Sequence, residues 1–255
     1  MATDMVVKKK DELVVAAPGA MESAPDYIES GREGLEDVTK DDLLTPRLAL
    51  AQALSPQVTE GDPKYVEGMK AGDLFNSQTG QNYGREVFFQ VLRKDKLRGM
   101  EFYSVDEGGG VKDPNVPLTD NRLKWGNSGD KKADKPKATL FRDYIVRMIP
   151  TGEMIALSFK STGIRVAKEL NNKMILRVDK NGKPTPIYAG VYRMTSDVNL
   201  LPKPHKIFVV ENAGWVSAED FALGKQMCEA VKGLDLVASL DRETTTPPGD
   251  DEIPF

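Results

Sequence analysis

A single cysteine, Cys228, and a single histidine, His205, occur in the 255 residues of this chain. One thiol makes no intramolecular disulfide, and one imidazole excludes two-His metal centres. No apolar run approaches the roughly 20 residues that a membrane helix needs. The mildly apolar residues 13–17 follow Lys8, Lys9, Lys10, Asp11 and Glu12, a poor signal peptide, so no export is expected and a reducing cytoplasm is. A GxxxxGK[ST] phosphate loop, a Rossmann glycine fingerprint, an HExxH helix and a nucleophile elbow are all missing. There is no internal repeat. The expectation is a protein that is not an enzyme and holds no cofactor or metal.

One catalytic reading survives these absences. Asp95, Glu101, Asp106 and Glu107 are close in sequence and could hold magnesium for a nuclease. They lie among lysines and glycines rather than at the ends of apolar strands, and solvated surface charge accounts for them more simply.

Charge is present, and unevenly. Residues 1–45 carry a net −6 and residues 241–255 a net −4, which leaves the central 46–240 at +6 within a total of −4. A basic body with acidic ends suits a polyanionic ligand, although acidic ends also serve solubility alone.

Length and pattern predict one core domain with extended ends. Residues 1–40 lack a sustained period and read as a disordered acidic extension; residues 41–240 form the domain; residues 241–255 form a flexible acidic tail. Within the domain, DDLLTPRLALAQALSP predicts a short helix or a turn followed by a buried strap. Leu74 and Phe75 precede a Gly/Asn turn and a strand over 85–93. Residues 104–136, rich in Gly, Pro, Asp and Lys, read as a long inserted loop. KATLFRDYIVRMIPTGEMIALSFKSTG alternates as a hairpin turning at 150–153. Ile164, Ala167, Leu170 and Met174 recur at helical spacing. IYAGVYRMTS and HKIFVVENAGWV are two further strands, and a helix follows over 217–231.

Strand, strand, strand, helix, strand, strand is the order of an OB-fold, a mainly β (α+β) five-stranded barrel with its helix between strands 3 and 4. A β-grasp or another small α+β domain produces a similar count.

The basic and aromatic residues suggest the chemistry. Single-stranded nucleic acid exposes unstacked bases beside a line of phosphates, so a groove interleaving aromatics with cations meets both at once. Arg142, Tyr144 and Arg147 on one strand, and Tyr188, Tyr192 and Arg193 on another, have this mixture. Arg93, Lys94 and Lys160 flank them. The loop adds Arg122, Lys124, Trp125, Lys131 and Lys132, with the tryptophan either a clamp over a strand or a side chain tucked against the barrel. Each tyrosine taken singly suits ordinary strand packing; their joint occurrence with cations points to DNA.

The chain ends DDEIPF. Asp250, Asp251, Glu252, Ile253, Pro254 and Phe255 resemble the tip of bacterial single-stranded DNA-binding proteins. The resemblance implies docking of the terminal Phe and its carboxylate into a basic-rimmed apolar pocket on replication, repair or recombination proteins. The segment LTPRLALAQALSPQV followed by EGDPKYVEGMKAGDLFNSQTG looks like tailed-phage proteins, some of which bind single strands and have acidic, Phe-ended tails. That implies a phage protein in the bacterial host cytoplasm, with single-stranded DNA as ligand and no membrane partner. A homo-oligomer is left open, because the long N-terminal extension and the linker of only about a dozen residues depart from the bacterial plan. The main alternative is an adaptor that uses the tip to engage host replication proteins without holding DNA.

Overall fold

A computed structural model describes residues 46–104, 107–130, 133–149, 151–200 and 204–232. The acidic extension 1–40, the tail 241–255 with Asp250 to Phe255, and Lys131 and Lys132 lie outside the described residues.

The first sheet is small and antiparallel, ordered β1 (Leu48–Leu50), β2 (Leu74–Asn76), β3 (Asn82–Gly84). Ala51, Met69 and Phe75 form its own core. The expected turn after Phe75 is set by Asn76, whose side-chain oxygen accepts the N–H groups of Gln78 at 2.9 Å and Thr79 at 3.2 Å.

The second sheet holds seven strands: β4 (Glu86–Lys94), β5 (Arg98–Phe102), β6 (Val111–Val116), β7 (Ala138–Ile149), β8 (Met154–Lys160), β9 (Gly190–Asn199) and β10 (His205–Trp215). Helix α1 (Gly163–Ile175) connects β8 to β9, and α2 (Ala218–Val231) follows β10. Strand β7 is the trunk. One of its edges pairs with β5 and then β4, while the other pairs with β8. From β4 the sheet continues to β9 and β10, and from β5 to β6.

The expected barrel does not close. Strands β8 and β10 are left at separate edges, and the sheets are antiparallel and open. The gap is occupied by the strap that the sequence predicts near Leu48. Arg47 makes a parallel bridge to Ala156 of β8, whose N–H donates to the Pro46 carbonyl at 2.7 Å. Gln52 grips β10 from the other side: it accepts the Lys206 N–H at 2.8 Å and donates to the Lys206 carbonyl at 3.0 Å.

The inserted stretch 104–136 is not all loop. It contains β6 and a 3-10 turn at Asn121–Leu123. Pro114 masks β6 in the sequence, yet it is tolerated because β6 is an outer strand paired to β5 alone.

Alternation along the strands builds two cores. Phe89 and Val91, Tyr144 and Val146, Leu157 and Phe159, and Tyr192 and Met194 face inward, where Val166, Ala167 and Leu170 of α1 meet them. On the opposite face Leu92, Ile145 and Ala156 are covered by Met227 and Val231 of α2. The trunk β4–β7–β8 is thus buried on both sides, and each fully buried large apolar side chain contributes roughly 1.5–3 kcal/mol. Helix α2 starts as its sequence predicts: the Ser217 hydroxyl accepts the Asp220 N–H at 3.0 Å. No helix among the described residues is long and apolar enough to cross a membrane.

Candidate nucleic-acid interface

Tyr144 and Tyr192 are placed by the parity of their strands, whereas Tyr188, expected on the same strand as Tyr192, lies in a 3-10 turn, Ile187–Ala189, ahead of β9. Arg142, Tyr144 and Val146 share one side of β7, and that side is the core. Tyr144 is 0% exposed and Tyr192 1%. The Tyr144 hydroxyl is satisfied on α1, within hydrogen-bond distance of the Ala167 carbonyl at 3.1 Å and the Asn171 side-chain oxygen at 3.0 Å. Burial pushes its phenol up to about 12 and raises Tyr192 as well. Tyr188 is half-buried, with its ring 5.2 Å from that of Phe221 on α2. Tyr144 and Tyr192 offer no open ring face, because the side of the strands on which they lie is core.

Several expected DNA-contacting arginines hold the fold together. Arg147, 4% exposed, pairs with Asp220 at the start of α2 and donates to Gln90 at 3.3 Å. Arg93 ties the end of α2 by donating to the Val231 carbonyl at 2.5 Å, and it pairs with Asp95 at 2.9 Å. Arg193 lies between Glu86 at 2.6 Å and Glu211 at 3.1 Å. Arg122 is surrounded by Glu101 at 2.6 Å and by Asp113 and Asp120, each at 2.9 Å. Arg122 and then Lys112 hold the Glu101 carboxyl below its ordinary range. A guanidinium matched by carboxylates contributes little net attraction to phosphate.

The remaining expected cations are superficial. Lys94, Lys124 and Lys160 are exposed. Lys124 reaches the Asn121 side chain at 3.1 Å. Half-buried Arg142 donates to the Asp95 carbonyl at 3.2 Å. Trp125 is 50% exposed in the inserted stretch. Of the carboxylates weighed for magnesium, Asp95 and Glu101 are in these ion pairs, Glu107 accepts from Ser104, and Asp106 lies outside the described residues. Among the described residues no group of three His, Cys, Asp or Glu side chains is placed to hold a metal ion.

A second aromatic–cation arrangement lies where α1 ends against the β9–β10 pair. Arg177, two residues beyond α1, has its guanidinium 5.0 Å from the Tyr192 ring centroid and 4.7 Å from that of Trp215. It donates to the carbonyls of Gly214 at 2.6 Å and Val191 at 3.2 Å, and to the Asn212 side chain at 3.3 Å. Gly190 faces Trp215 across the strands, and a Cβ there would lie 2.7 Å from the guanidinium carbon. The missing side chain is the seat of Arg177. Trp215 itself is 56% exposed. The sequence holds a signal for it: a large ring follows the polar and small residues Glu211, Asn212, Ala213 and Gly214 at the end of an apolar strand.

The family profile described as Pam3 phage gp34-like protein matches residues 15–236. The chain belongs to that family. The match takes in every described residue of both sheets and both helices, so the Pam3 phage gp34-like profile covers the whole fold. No curated protein and no solved structure matches the chain.

Proposed function

We propose that this gp34-like chain is a phage single-stranded DNA-binding protein of replication and recombination, acting by sequence-independent stacking and phosphate contact in the host cytoplasm and without catalysis. The observation that carries the reading is the pairing order. With β4–β5 taken as one bent strand, the contacts first-to-second (β7), second-to-third (β8), first-to-fourth (β9) and fourth-to-fifth (β10) are present, and α1 lies between the third and fourth. These are the connections of an OB-fold except the closing third-to-fifth pair, which the β1 strap replaces. The basic body, the acidic ends and the DDEIPF tip support the same reading, with the tip recruiting partner proteins.

The adaptor alternative draws on one specific observation. In OB-folds the face of strands 2 and 3 holds the oligonucleotide, and here α2 covers Ile145 and Ala156 on those strands. Fluorescence anisotropy separates the two readings. A labelled oligo-dT and a matched duplex are titrated across a salt series, with the full chain and with a chain ending at Pro248. Preference for the single strand, affinity falling with salt, and tighter binding without the tail are expected. Failure of both chains to bind any strand above nonspecific levels leaves the adaptor.

A further inference from the structure

We infer that the exposed face of Trp215, with the basic end of α1 around it, is where a base and its flanking phosphates dock; this rests on the single-strand reading above. The geometry of Trp215 is built rather than incidental. The β9–β10 register slips between Asn212 and Gly214, and Gly214 holds a φ of 126°, which L side chains rarely adopt. Bulges of this kind re-aim a side chain. Here the bulge sets the Trp215 ring over Arg177, which is anchored by three acceptors and backed by Tyr192. One face of the indole meets the guanidinium, and Trp215 as a residue stays more than half exposed.

The segment that carries Arg177 favours a polyanion. Residues 163–186 carry six Lys and Arg against two carboxylates, Glu169 and Asp179. Arg165 already pairs with Glu169 at 3.1 Å, and Asp179 accepts the backbone N–H groups of Asn181 and Lys183, each at 2.8 Å. Among the described residues no carboxylate lies within salt-bridge distance of Lys173, Lys180 or Lys183. An open groove of about 370 Å³ runs past Asn172, Lys173, Leu176, Arg177 and Asn212, with Glu169 on its wall. Leu176 and Ile175, 76% and 77% exposed, add apolar surface suited to the faces of bases and sugars. On the inserted stretch, by contrast, Arg122 has three carboxylate partners. A duplex keeps its bases stacked on one another, so a lone indole platform selects the single strand.

The test uses the chain's two tryptophans. Trp215→Ala, compared with the full natural chain by oligo-dT anisotropy, is expected to lose about tenfold or more in affinity, the span of one stacked base, while Trp215→Phe retains most of it. Lys173→Glu with Lys183→Glu is expected to weaken binding further and flatten the salt dependence. In Trp125→Phe, Trp215 is the sole tryptophan, and oligo-dT is expected to quench its emission with the midpoint seen by anisotropy. Circular dichroism melting checks that each variant folds. If the natural chain binds oligo-dT but Trp215→Ala binds equally well and the lone Trp215 emission does not respond, this site is wrong and the single-strand reading stands. If the natural chain binds no single strand, both fall.

Discussion

Phe159 of β8 and Phe208 of β10 meet edge to face with ring centroids 5.8 Å apart, across the gap where an OB barrel would pair its third and fifth strands. Phe159 also lies 5.8 Å from Tyr144, again edge to face. The opening between the two edge strands is therefore sealed by side chains and by the β1 strap instead of by a backbone ladder.

Phe208→Ala should destabilise the fold by about 2–4 kcal/mol, below the full cost of a wholly buried ring because Phe208 is only partly covered. Urea denaturation followed by fluorescence measures it. A loss under ~0.5 kcal/mol would mean that the strap alone holds the gap.

Removing the carboxylate at Asp220 leaves Arg147 charged and buried beneath α2. Asp220→Ala should cost about 3–5 kcal/mol, whereas Arg147→Met, which deletes the charge and keeps the volume, should cost clearly less. The expected signature of a structural arginine is that Arg147→Met shifts the melting temperature and leaves oligo-dT affinity unchanged in whatever protein stays folded.

Gly224 is where α2 comes closest to the sheet: a Cβ there would run into the Gln90 amide. That amide is committed, donating to the Tyr188 carbonyl at 2.6 Å and the Asp220 carbonyl at 3.1 Å. Gly224→Ala should therefore lower stability by about 1–3 kcal/mol, although alanine favours an isolated helix by about 1 kcal/mol. Unchanged or increased stability in a thermal melt would show that α2 is free to lift.

Tyr144 links stability to alkaline pH. Its folded phenol is raised by burial to about 12 from an ordinary 10.0. A raised pKa means that the stabilisation is whole below pH 10 and is lost as pH climbs toward 12, amounting to roughly 3 kcal/mol. Tyrosinate absorbance should show Tyr83, Tyr144 and Tyr192 ionising after ordinary tyrosines, together with unfolding. Tyr144→Phe should remove part of the alkaline loss.

Glu101 works in the opposite direction. Its pKa is depressed by Arg122 and Lys112, so its contribution is present at neutral pH and lost as pH falls through the lowered value. Glu101→Gln should lower stability at pH 7 and flatten the stability curve between pH 5 and pH 2 relative to the natural chain. Parallel curves would remove this ion-pair network from the account of the inserted stretch.

Elements were legible where local pattern and tertiary environment agree. Ile164, Ala167, Leu170 and Met174 mark α1 because one side of that helix meets the core, and Ser217 marks the start of α2 because the cap is local chemistry. Strand β6 was illegible, since Pro114 argues against a strand unless its neighbour lies on one side only. Tyr144 and Tyr192 were expected on the right strands and in the wrong environment, since both are core. Alternation says which residues share a side, but not which side the core takes when both are covered, as they are along β4, β7 and β8. Arg177 escaped notice because the residues that hold it, Val191, Asn212 and Gly214, are remote in sequence.

By itself the sequence determined what is local and what is additive: the two helices and the longer strands around them, the Ser217 cap, the charge asymmetry between body and ends, and the lack of a second cysteine or histidine. Tertiary structure alone decided that the sheet stays open around a strap, that α2 roofs the trunk strands, and which cations are matched by carboxylates. The physical reason is that burial and ion pairing depend on distances between residues far apart in the chain, and those distances exist only once the sheets have paired.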